Sequence, residues 1–165
     1  MPKAKCGHAQ QVDVTTLDNE TYPICYFPVV IDRINALHRA RLVHIVWLTS
    51  WNRSAPERFA PAVGLDEFPV LADPGSPDWS WHQWDQHRTW WKLGLVLEMV
   101  ATDQERRVIW TDDDLDRRTK DALRAVHRAP LKLMTTMSVP GLTLEHLDVI
   151  EAFARATAPA GRSAS

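Results

Sequence analysis

Four short apolar runs, each separated from the next by stretches that carry helical periodicity or loop residues, constrain this chain more than any other feature. They are LVHIVWL (residues 42–48), FPVL (68–71), RVIWT (107–111) and LKLMT (131–135). A nearly continuous apolar run such as LVHIVWL reads as a strand buried on both faces. Strands alternating with helices of about ten residues indicate parallel βαβ units, and so a layered α/β sheet with helices on both faces.

The helical segments have recognisable ends. Residues 29–39 place Val30, Ile34 and Leu37 on one stripe just after Pro28. Ser54 and Glu57 have the spacing of a capping box that opens a short helix, and Gly64 closes it. Leu93, Leu97 and Val100 define a helix over 91–102, a polar helix covers 116–127, and Thr143 caps a last helix carrying Leu144, Leu147, Ile150 and Phe153. Ahead of these, residues 11–27 alternate around a turn at Asp18-Asn19 and read as a β-hairpin or flap. Residues 72–89 read as a loop, broken by Asp73, Pro74, Gly75 and Pro77. One domain over 1–157 is expected, with a tail and flap over 1–27, an α/β core over 28–157 and a frayed tail over 158–165.

Composition removes several classes of function. Nineteen Lys and Arg against 21 Asp and Glu leave a net charge of −2, which argues against a coat for nucleic acid or an anionic membrane. No apolar stretch nears the roughly 20 residues needed to cross a bilayer, and the start has no apolar run of a secretory signal. Cys6 and Cys25 are too few for a disulfide scaffold, so reduced thiols in a cytoplasm are the simple expectation. Five of the eight tryptophans fall within residues 79–91. They could stack on nucleobases, but Arg88 and Lys92 face Asp78 and Asp85 there, so the basic track of a single-strand binder is missing and a hydrophobic lid is favoured. His82 and His87 find no second pair at zinc-ligand spacing, and no dinucleotide-binding, P-loop or nucleophile-elbow motif occurs.

Reactive groups of an open α/β sheet gather beyond the carboxyl ends of its strands. Thr49 and Ser50 follow the first run; a hydroxyl and backbone amides leading into a helix suit an anion, or else only satisfy the loop. Asp112, Asp113, Asp114 and Asp116 follow the third run. Clustered carboxylates repel unless a cation separates them, and Mg²⁺ typically takes one or two carboxylates with water and phosphate. Asp114 and Asp116 fit a solvated helix cap, whereas Asp112 and Asp113 abut the apolar strand and are the metal-ligand candidates. Lys92 stands at a helix start, where the dipole gives a cation no benefit, so a phosphate or the acidic cluster is its natural partner.

In order, strand–Thr49, Lys92 and strand–Asp112-Asp113 resemble motifs II, III and IV of the haloacid-dehalogenase-like superfamily. YPICYFPVVIDRINAL, IVWLTSWNRSA, VGLDEFPVL, WWK, VIWTDDDL and GLTLEHLDVI are similar to a group of small actinobacterial members, over about residues 22–154. The resemblance implies a three-layer Rossmann-like fold and Mg²⁺-dependent hydrolysis of a phosphate monoester through an aspartyl-phosphate. It implies that Thr49, or its neighbour Ser50, bonds the phosphoryl group, that Lys92 neutralises charge, and that Asp112 or Asp113 holds Mg²⁺. A phosphorylated small molecule is the implied partner.

One departure stands out. The superfamily's first motif, a strand ending in D-x-D-G-[VT]-L that supplies the nucleophile, does not occur in this sequence; Asp13-Val14-Thr15-Thr16 is the nearest string. The expectation is a chain inactive as it stands, through an upstream truncation or through degeneration. A non-catalytic binding or regulatory module and a nucleic-acid end-processing phosphatase are the alternatives. Without that central strand, residues 12–16 would fill the gap, the flanking strands would close up, or the chain would be marginally folded, because unpaired buried backbone groups cost about 1–3 kcal/mol each.

Overall fold

The computed structural model describes residues 8–71, 90–138 and 141–157. The expected loop over 72–89, its tryptophans up to Trp84 and the tail over 158–165 lie outside the described residues.

The N-terminal hairpin forms as its alternation predicts. β1 (Gln10–Thr15) pairs antiparallel with β2 (Thr21–Tyr26), in a register that sets Val12 opposite Ile24. The turn is made by Asn19 at φ 66°, a left-handed conformation that Asn tolerates better than most residues. Leu17 N–H donates to Ser54 Oγ at 3.0 Å, which ties the hairpin tip to the loop after residue 49.

Helix α1 (Pro28–Arg39) starts on a proline, whose missing N–H costs nothing in the first turn. Residues 42–48, expected as a strand buried on both faces, pair at one point among the described residues. Trp47 bridges Val70 in parallel sense, with Trp47 N–H donating to Pro69 O and Leu71 N–H to Trp47 O, each at 2.8 Å. An apolar run becomes a ladder only where a second strand lies alongside it. Here His44 and Val46 face solvent.

The expected capping box is also corrected. Ser54 has helical dihedrals and caps nothing, because its hydroxyl accepts from Leu17; Glu57 pairs with Arg53. The segment opens as a π-helical turn (Ala55–Phe59) and passes into α2 (Ala60–Val63), which Gly64 ends in the left-handed conformation at φ 82°.

The second half of the chain contains the βαβ unit. α3 (Trp91–Thr102) leads to β3 (Val108–Asp112), then α4 (Arg117–Val126) and β4 (Leu131–Thr135), which lies parallel to β3 with Trp110 opposite Leu133. α5 (Leu144–Ala156) closes the core. Asp116 caps α4 by accepting from Thr119 N–H, and Thr143 caps α5 in a reciprocal box with His146.

β3 alternates between two apolar clusters, as a strand's period of two requires. Val108 and Trp110 join Leu93, Val96 and Val100 of α3 with Leu123 of α4. Ile109 packs against Val30 and Leu37 of α1 with Leu147 and Ile150 of α5. The architecture is mixed α/β, with a two-stranded antiparallel sheet and a two-stranded parallel sheet. Residues 12–16 stay within the hairpin and, among the described residues, pair with neither β3 nor residues 42–48.

Candidate functional site

Strand parity decides where the acidic residues go. Asp112 is two residues beyond Trp110 and so continues the face of β3 that packs on α3. Lys92 is the second residue of that helix, and its Nζ lies 2.8 Å from Asp112 Oδ2. Both side chains are withdrawn from solvent, with 14% and 5% exposure, so the pair interacts in a medium that screens poorly. The ammonium also sits 5.1 Å from the Trp90 ring and 5.8 Å from the Trp91 ring, within cation–π range. Trp90 in turn stacks on Trp110 at 5.5 Å. The dipole of α3 disfavours a cation at this end, and the carboxylate and two aromatic faces offset that cost.

Each carboxylate oxygen of Asp112 has one partner within the protein. Oδ2 takes Lys92, and Oδ1 accepts from Asp114 N–H at 3.0 Å. Asp113 is exposed and turns elsewhere, its Oδ2 accepting from the Ser138 hydroxyl at 2.7 Å. The Ser138 hydrogen bond, with the Lys92 charge nearby, holds the Asp113 carboxyl below the usual range. Carboxylate oxygens of Asp112, Asp113 and Asp114 all lie within 4.8 Å of one another. Three carboxylates against one ammonium leave an excess of two negative charges at the end of β3.

Ser138 escaped the sequence reading. It follows β4 by three positions, and only the parallel register of β3 and β4 brings it to Asp113. Asp116 serves its helix: its carboxylate is held low by the Thr119 N–H it accepts.

Thr49 makes a local contact and Ser50 lines a cleft. Thr49 Oγ1 accepts from Trp51 N–H at 3.2 Å, an ordinary turn contact, and Ser50 is exposed on a cleft beneath the hairpin. No hydrogen bond or ion pair between described residues links either of them to Lys92 or to the aspartates. Of the five sequence-predicted site residues, Lys92, Asp112 and Asp113 lie together, and Thr49 and Ser50 follow Leu48, which packs against the Trp110 cluster. The Trp-rich loop is outside the described residues except for Trp90, already placed against Trp110 and Lys92, and Trp91.

These features define a mixed α/β protein with a buried Lys–Asp pair and an acidic cluster at the carboxyl end of a parallel strand. No family model matches the chain, and neither a curated protein nor a solved structure matches it. No helix among the described residues is long and apolar enough to cross a membrane.

Proposed function

We propose that this chain is a phosphate-handling α/β domain of the haloacid-dehalogenase-like kind, with a three-layer Rossmann-like core, that lacks its own aspartate nucleophile. The observation that carries the reading is the Lys92–Asp112 pair at the end of β3, with two further carboxylates within 4.8 Å. Helical residues pack on both faces of β3, which is the layering the reading needs. An excess of two negative charges matches a divalent cation, and hard oxygen donors suit Mg²⁺. Bound there through Asp113 or Asp112, Mg²⁺ would supply charge neutralisation for a phosphorylated small molecule. Lys92 would hold the cluster in order and present the remaining cationic surface. The string that would carry a nucleophile, D-x-D-G-[VT]-L, is not in the sequence.

A second reading, a non-catalytic binding module, is favoured by one fact. Both oxygens of Asp112 are already engaged within the protein.

The test is turnover of p-nitrophenyl phosphate by the purified chain, with and without Mg²⁺, beside its thermal response to Mg²⁺ and inorganic phosphate. The expected result is no hydrolysis above background and a raised melting temperature that Asp112→Asn, Asp113→Asn loses. Mg²⁺-dependent hydrolysis abolished by Asp13→Asn would make Asp13 the nucleophile. Absence of any thermal response would remove the phosphate-handling reading altogether.

A further inference from the structure

Two strand edges in the parallel part of the fold carry open backbone. In the β3–β4 ladder, Val108 N–H donates to Pro130 O and Thr136 N–H donates to Asp112 O. Those two bonds fix the parity of β3. Val108, Trp110 and Asp112 turn their peptide groups toward β4, and Ile109 and Thr111 turn theirs to the opposite side. Residues 42–48 divide in the same way. Trp47 bonds Pro69 and Leu71 through its C=O and N–H, so Val46 and Leu48 direct their peptide groups away from residues 68–71. Among the described residues, these outward groups of Ile109, Thr111, Val46 and Leu48 make no hydrogen bond.

Packing sets the two open edges toward each other. Leu48 packs against the cluster of Trp110 and α3, and Leu42 and Val43 pack against the cluster that Ile109 joins. Phe68, only 1% exposed, belongs to neither cluster and contacts Trp47 and His38 instead. Residues 68–71 therefore lie on the far side of residues 42–48 from β3. Val46 is 36% exposed, and Ile45 and Ile109 are half-buried, apolar positions that one more strand would cover.

Such an edge selects its ligand in two ways. A row of peptide N–H and C=O groups accepts an extended backbone. Apolar layers on both faces of β3 call for apolar side chains at successive positions, not for the alternation of a half-exposed strand. Nothing left over in this chain has that character: residues 1–7, 72–89, 139–140 and 158–165 contain no two adjacent β-branched or aromatic residues. The hairpin strands of a second copy fit no better, since β1 alternates and β2 carries Pro23.

We propose that β3 and residues 42–48 form an acceptor slot for an apolar segment of another polypeptide, as long as the five residues of β3 and added as a strand beside Ile109 and Thr111. The proposal does not rest on phosphate handling by the acidic cluster.

The test is amide hydrogen exchange of the full chain with three synthetic peptides. They are KKVIVVIKK, the alternating KKVTVSVKK, and KKVIVVIKK with every apolar amide N-methylated. Without peptide, Ile109 and Thr111 should exchange faster than Trp110 and Asp112, which are bonded to β4. KKVIVVIKK should slow Ile109, Thr111, Val46 and Leu48 about tenfold, the worth of one hydrogen bond, and the other two peptides should not. Thr111→Pro removes an outward N–H without removing a β3–β4 bond, and should abolish the slowing at Ile109. The N-methylated peptide asks the same question with the protein unaltered. Four results would each overturn the assignment: protection of Ile109 and Thr111 without peptide, whether constant or rising with chain concentration; no slowing by KKVIVVIKK; equal slowing by either control peptide; or slowing confined to Leu133 and Thr135 on the outer edge of β4.

Discussion

Lys92 Nζ and Asp112 Oδ2 meet at 2.8 Å across the junction of α3 and β3, with the ammonium also facing the rings of Trp90 and Trp91. The pair closes the carboxyl end of the apolar layer formed by Val108, Trp110 and α3. Removing one partner of a buried ion pair leaves the other desolvated and uncompensated.

Lys92→Met should therefore destabilise the fold by about 3 kcal/mol, the low end for breaking a buried pair, because Lys92 keeps slight exposure. The double variant Lys92→Met, Asp112→Leu should recover most of that loss. Denaturant unfolding of the parent, both single variants and the double variant gives the coupling energy; a near-zero coupling would show the pair to be energetically idle.

The acidic cluster should bind a divalent cation weakly, since Lys92 already neutralises Asp112. Mg²⁺ should raise the melting temperature slightly, because a ligand bound only by the folded state stabilises it. Asp112→Asn, Asp113→Asn should abolish that response. Asp116→Asn should retain it, since Asp116 is occupied in capping α4. A double variant that responds like the parent would reduce the cluster to a solvated turn.

Ser138→Ala should move the Asp113 titration upward, toward the ordinary Asp value of about 3.9. The Ser138 hydroxyl now holds this carboxyl low, so its contribution to stability is present above the unfolded-state value and is lost as pH falls through the folded-state value. Parent and variant should differ in stability near neutrality and converge in acid. Carboxyl-carbon chemical shifts against pH follow the midpoint directly; an unchanged midpoint would remove Ser138 from the site.

Asp116→Ala should destabilise the chain through loss of its N-cap and fray the first turn of α4. Asp116→Asn should cost almost nothing. Hydrogen exchange at Thr119, whose N–H the carboxylate accepts, reports the fraying.

Local rules were legible wherever a residue acts on its own neighbours. The Val30–Ile34–Leu37 stripe, the left-handed Gly64, the Asp116 and Thr143 caps and the Asn19 turn all depend on interactions spanning a few residues, and each formed as its spacing predicts. Ser54 shows the boundary of such reasoning. Its spacing to Glu57 suited a cap, yet a backbone N–H arriving from the hairpin took its hydroxyl instead.

The order of apolar runs was enough to determine a βαβ unit over β3, α4 and β4, because burial of periodic apolar faces is a property of the chain itself. Residues 42–48 carried an equally apolar pattern and, among the described residues, made one bridge, since a ladder needs a neighbour that no single segment contains. The same division runs through the site. Side-chain alternation puts Asp112 on the Trp110 face of β3, but what meets it there depends on the helix packed against that face. Only the tertiary structure placed Lys92 against Asp112 and Ser138 against Asp113, because those contacts join residues 20 and 25 positions apart in the chain.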